Sequence, residues 1–176
     1  MTKAGENNLN SNRELNLALQ MTSARTLDEI FEKIYLYLHE AWGFDSVGIQ
    51  LVDDERKLLK SYKSYGVNIE DPRIAEITGK DVSLEKMDSV SALAALQGFP
   101  LYADFTKAEF INAMTEIDRQ VVLALNIKEN LILPLQFENQ ILGVFHCTTF
   151  FNPVSLQRSD IEQLHGFING LSGVIH

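Results

Sequence analysis

At 176 residues and 45% hydrophobic, the chain has enough apolar material for one domain with a substantial core and too little for two. Lys and Arg number 15 against 24 Asp and Glu, and the net charge of -9 repels nucleic-acid backbones and anionic membrane surfaces alike. No apolar run approaches the roughly 18 residues of a membrane span, no signal-peptide core opens the chain, and the single cysteine, Cys147, excludes an internal disulfide or a multi-thiolate zinc site, so a cytosolic setting is expected.

In chain order, residues 1–10 are polar and Asn-rich and read as a disordered leader. A weak helical pattern through Leu15, Ala18, Leu19 and Thr22 predicts a helix over 11–24 that is too short to stand without a partner. Thr26 and Glu29 have the spacing of a capping box. Behind them Leu27, Ile30, Phe31, Ile34, Leu38 and Ala41 form one apolar stripe that Gly43 ends. Residues 45–52 and 57–65 alternate as two strands around the acidic turn at 53–55.

From Gly66 to Asp104 the signals are short: a turn of helix from Pro72 to Thr78, an edge strand at Val82, a helix capped by Ser89 and ended by Gly98, and a strand at 101–103. Thr106 and Glu109 repeat the capping-box spacing. They predict one long helix carrying Phe110, Met114, Ile117, Val121 and Leu125. Two apolar runs, LILPLQF and ILGVFHCTTFF, flank Glu138–Gln140 and predict a central hairpin. Strict alternation puts Leu142, Val144, His146 and Thr148 on one face of its second strand and Gly143, Phe145, Cys147 and Thr149 on the other. Ser155 is expected to cap a final helix whose Ile161, Leu164, Ile168, Leu171 and Ile175 form a seam suited to helix pairing. This order describes an α+β domain over residues 25–176, a meandering antiparallel sheet with the terminal helices packed on one face and short helices and loops over the other.

Candidate chemistry is sparse. His146 and Cys147 are neighbours on one strand and so point to opposite faces, which disfavours a nucleophile and base pair. Glu162-x-x-His165 is half of a di-iron pattern without its second copy, so no metal site is expected. His146 is either a core histidine or a pocket-lining one. Tyr62 is either ordinary strand packing or a stacking surface, and Asp104 either a turn residue or a ligand acceptor at a pocket rim.

The string VSLEKMDSVSALAALQGFPLYADF from Val82, the hairpin LILPLQFENQILGVFHC, and the closing SLQRSDIEQL together resemble the GAF domain family over residues 26–176. The resemblance implies a profilin- or PAS-like antiparallel sheet with a small-molecule pocket opposite its terminal helices. It also implies a dimeric regulatory module for an attached or partner effector; the single cysteine and the opposed faces of His146 and Cys147 lead to the expectation that the chain is not an enzyme. Cyclic-nucleotide-binding members carry an Asn-Lys pair and a later Phe, Asp and Glu where this chain has Thr149-Phe150, Val154, Arg158 and Ser159. The bilin-attaching cysteine has no counterpart, since Cys147 lies mid-strand, and free methionine sulfoxide reductases use more than one cysteine. The expectation is therefore a sensory domain that binds a planar polar molecule through Tyr62, Asp104, His146 and Thr148 and pairs as a homodimer. The alternative is a ligand-free scaffold in which Phe110, Met114 or Phe150 plugs the pocket. The ligand and cofactor are left open.

Overall fold

The computed structural model describes residues 26–66, 80–87 and 89–175, together with 24 and 72. The leader over 1–10, the helix expected before Ala24, and the turn of helix following Pro72 lie outside them. Thr26 caps helix α1 (Leu27–Trp42) by accepting the Glu29 N–H on its Oγ1 at 3.2 Å, and Gly43, at φ 81°, ends it in the left-handed region. Strands β1 (Ser46–Val52) and β2 (Leu58–Gly66) follow. Between them Asp53 Oδ1 accepts the backbone N–H groups of Lys57 and Leu58, so the acidic turn is closed by its first residue. Next come β3 (Val82–Ser83), α2 (Val90–Gln97) under its Ser89 cap, and β4 (Leu101–Asp104).

The single helix expected after Thr106 is two. α3 (Ala108–Ala113) stops at Met114, which is extended at ψ 156°, and Thr115 restarts the chain as the cap of α4 (Glu116–Leu125). The Thr115 hydroxyl accepts the Asp118 N–H and donates to Asp118 Oδ2, so Thr115, not Thr106, supplies the working cap in this stretch. The hairpin of β5 (Glu129–Phe137) and β6 (Gln140–Thr149) turns on Glu138 and Asn139, both at positive φ. Helix α5 (Arg158–Ile175) begins three residues later than Ser155. Ser155 instead holds a positive φ, and Asp160 Oδ2 accepts the Gln157 N–H at the helix entry.

The strands form one antiparallel sheet in the order β3-β2-β1-β6-β5-β4. On one face α1 and α5 close a core in which Phe31, Ile34, Leu38, Leu164 and Ile168 meet Val47, Leu131, Leu133, Phe145 and Cys147. Each such side chain, fully buried, contributes about 1.5–3 kcal/mol. The seam expected to pair helices is thus spent at home: Leu164 and Ile168 are 0% exposed against this chain's own β5. On the opposite face α2 covers only part of the sheet, over Leu59, Ile132 and Val144.

A buried carboxylate ties the two chain segments that flank the sheet. Glu129 Oε1 accepts the Tyr102 hydroxyl at 2.5 Å and the Ser155 N–H at 2.9 Å, while Oε2 accepts the Val154 N–H. Four polar neighbours, Thr149 included, satisfy a group that would otherwise be costly to bury.

At Gly143 β6 has no room for a side chain against β1: a Cβ there would lie 2.2 Å from the Gln50 carbonyl oxygen. Backbone cannot step aside as a side chain can, so Gly143→Ala should cost about 1–3 kcal/mol in urea unfolding. Gly166→Ala, where a Cβ meets nothing within 4 Å, should be neutral or stabilising by up to about 1 kcal/mol. Equal midpoints for the two variants would contradict this account of the β1–β6 approach.

Candidate ligand cavity

The face that α1 and α5 leave uncovered carries a cavity of about 620 Å3. Its floor is the sheet. Cross-strand pairing places Gly48 beside His146 and Ser64, Ser46 beside Thr148, and Gln50 beside Ser61 and Val144. On the other side Asn130 lies beside Thr148 and Ile132 beside His146. The floor is therefore a band of small and uncharged polar side chains crossing four strands. The wall opposite is apolar, supplied by Phe110 and Met114 at α3 and by Val121, Val122 and Leu125 of α4. Lys80, Asp81 and Lys86 line the cavity from the chain beside β3, and Ser89 and Ser91 from the start of α2.

His146 sits at the centre of the floor. Its Nε2 is 3.1 Å from Gln50 Oε1 and 3.1 Å from Ser91 Oγ. A carboxamide oxygen can only accept, so Nε2 carries the proton and donates. The ring is half-buried, its open part lining the cavity. Burial holds its pKa down to about 4, so the imidazole is neutral near pH 7. Thr148 lies beside it and donates from its hydroxyl to Asn130 Oδ1 at 3.4 Å.

Two of the four residues read from the sequence as ligand contacts are brought together here, His146 and Thr148. The other two are not. Tyr62 lies on the helix side of the sheet, its hydroxyl donating to Asp28 Oδ1 at 2.9 Å and its ring edge-on to Phe31 at 5.4 Å. The reason is a β-bulge: β1 pairs Ile49 with Lys63 and then Gln50 with Ser61, so Tyr62 is an extra residue and alternation restarts across it. Ser61 and Ser64 consequently line the cavity in its place. Asp104 is absent from the lining. It accepts the Thr106 N–H and hydroxyl on Oδ1 and pairs with Lys107, the turn role that its position also allowed. Its two neighbours, Ala103 and Phe105, reach the cavity instead.

A second bulge corrects the face assigned to Leu142. β5 pairs Leu135 with Gly143 and Gln136 with Ile141, which leaves Leu142 unpaired and packed against the helix-side core. Gln50, Ser91 and Asn130 were missed by the sequence reading. Only the pairing register, invisible in one strand's pattern, could have placed Gln50 and Asn130 beside His146. Cys147 is buried on the face away from His146, and burial pushes its thiol above the usual range, against a thiolate. Among the described residues no three His, Cys, Asp or Glu side chains come together as metal ligands, and no helix is long and apolar enough to cross a membrane.

No family model matches the sequence, and comparison with curated proteins gives no match. The fold does have solved counterparts. The GAF domain of an Acinetobacter phosphoenolpyruvate-protein phosphotransferase superposes with a TM-score of 0.69 at 16% identity, over 99% of this chain and 94% of its own. Residues 122 to 287 of a methyl-accepting chemotaxis protein give 0.68 at 20% identity, over 90% and 94%. The GAF domain of a two-component sensor histidine kinase from Bacillus halodurans gives 0.66 at 21% identity, over 86% and 95%. The chain has the α+β fold of GAF domains.

The neutral state of His146 has a pH consequence. A base whose folded pKa lies below its unfolded value, about 6.5, takes up its proton more readily when unfolded, so its contribution is whole above pH 6.5 and is lost as pH falls toward 4. Unfolding free energy should fall across that window by on the order of 1–3 kcal/mol. His165 is shifted in the same direction, so the readout is the difference from His146→Asn, which should have the flatter profile. Parallel profiles for the two proteins would show that His146 is not held neutral.

Proposed function

We propose that this chain is a sensory or regulatory domain, without catalysis of its own, that binds a small molecule in the cavity and signals its occupancy to an attached or partner effector. One observation carries the reading: the sheet face opposite the terminal helices holds an open cavity of about 620 Å3 whose polar groups converge from four strands and the start of α2. A ligand-free scaffold would need Phe110, Met114 or Phe150 to fill that space, and all three line it. The solved neighbours point the same way, being domains of a phosphotransferase, a chemotaxis protein and a sensor kinase. Cys147 faces away from His146, and Nε2, the imidazole nitrogen 3.1 Å from Ser91 Oγ, already carries the proton it donates to Gln50 and cannot take one from the serine; both support the non-catalytic reading.

A homodimer belongs to the same reading. With Leu164 and Ile168 committed to the core, the surface of α5 open to a partner among the described residues is its outward side, where Glu162, Gly166 and Gly170 are exposed, and the helix expected over 11–24 is proposed to pair beside it. Sedimentation velocity should give a dimer mass that Gly166→Trp with Gly170→Trp reduces to monomer; a monomer in the unsubstituted protein would remove the dimer from the proposal.

Ligand binding is tested by thermal shift against a panel of metabolites. A true ligand at a hundredfold excess over its dissociation constant stabilises the fold by about 2.7 kcal/mol. Ala103→Phe, which fills the cavity from β4, should fold and lose that gain. A panel that leaves the melting temperature unmoved, or raises it equally in Ala103→Phe, would return the reading to the scaffold.

A further inference from the structure

We propose that the sheet floor of the cavity is a subsite for the uncharged, carbonyl-bearing edge of its ligand, an amide, lactam or urea, and not for a carboxylate, phosphate or ammonium group. The inference rests on the cavity being a ligand site and adds which chemistry lies against the sheet.

The floor carries no charge. Every residue of β1, β2, β4, β5 and β6 that lines the cavity is apolar or a neutral hydrogen-bonding type, apart from His146. His146 is itself a neutral donor to Gln50 and Ser91, as its burial requires. The charged lining groups among the described residues, Lys80, Asp81, Lys86 and Asp118, all stand off the sheet, beside β3 and on α4. An ion laid on the floor would exchange water for neutral dipoles with no counterion beneath it, a desolvation loss that hydrogen bonds alone do not return. A neutral polar group loses far less and recovers it through the same bonds.

The sense of those bonds is also set. Gln50 Oε1 is occupied by the imidazole N–H and Asn130 Oδ1 by the Thr148 hydroxyl, so both carboxamide oxygens are engaged. Among the described residues no acceptor takes the NH2 groups of Gln50 or Asn130. Ser91 Oγ lies within reach of the imidazole N–H and can accept from it, which leaves the Ser91 O–H to donate. The floor thus offers donors at Gln50, Asn130 and Ser91 beside acceptors at His146 Nδ1 and at the Thr148 hydroxyl, whose proton goes to Asn130, and the complementary ligand edge carries a carbonyl oxygen next to an N–H, as an amide, lactam or urea does. The wall opposite is apolar apart from Asp118 among the described residues, so the ligand surface turned away from the floor is largely apolar.

The test uses benzamide, benzoate and benzamidine, which share size and planarity and differ in charge. Binding is read from the imidazole resonances of His146, assigned by their loss in His146→Asn. Benzamide should bind at least about tenfold more tightly than either ion, a margin set by the desolvation of an unpaired charge. Gln50→Glu, which puts an anion on the floor, should transfer the preference to benzamidine. Should that variant fail to fold, Ser91→Ala serves: it removes one donor and should weaken benzamide several-fold while leaving the order of the three unchanged. Benzoate or benzamidine bound as tightly as benzamide would overturn the inference while the cavity reading stood. If none of the three shifts His146 at millimolar concentration, the inference fails, while the cavity reading is decided separately by the metabolite panel and Ala103→Phe.

Discussion

Side chains alternate across a strand, and a sheet therefore has two faces that must each find a covering. In this chain one strand shows the division most plainly. Along β6, Phe145 and Cys147 enter the core under α1 and α5, and Val144, His146 and Thr148 look the other way. The two terminal helices are long and amphipathic and can seal only the first face. Among the described residues the second is covered by α2, packed on Leu59, Ile132 and Val144, and by the short pair α3 and α4, which stand across the cavity from the sheet. The cavity is the part they leave.

That division also sorts the polar residues. On the sealed face a carboxylate survives only by complete satisfaction, as Glu129 does with Tyr102, Val154, Ser155 and Thr149. The cavity face instead keeps a set of neutral hydrogen-bonding groups gathered around a histidine that burial holds uncharged. The first arrangement fixes the entry to α5. The second is suited to exchanging partners, which is what distinguishes a binding surface from a core.

Much of this was legible from local signals. The caps at Thr26 and Ser89, the closures at Gly43 and Gly98, and the Glu138–Asn139 turn are each set by chemistry within a few residues, and each was read from the sequence. So was the opposition of His146 and Cys147. What failed was whatever depended on a partner strand. The bulges at Tyr62 and Leu142 each insert one residue against β1 or β5 and turn a side chain to the face that period-two counting denies it. Tyr62 was lost to the site for that reason, and Gln50 and Asn130 were not seen because their nearness to His146 exists only in the register. The break at Met114 was hidden by an apolar spacing that continues through it, although Thr115 and Asp118 have the capping spacing that marks it. The α5 seam was read correctly as apolar and assigned to the wrong partner, since periodicity says that a face is buried but not against what.

The account comes down to one claim: the open volume over His146 is a place for a small molecule. The most direct measurement is native mass spectrometry of the protein equilibrated with a mixed small-molecule cell extract, run beside Ala103→Phe. The account predicts one or a few discrete small-molecule adducts on the unsubstituted protein that are missing from the cavity-filled variant. Identical spectra for the two proteins, with no adduct or with the same ones, would contradict it.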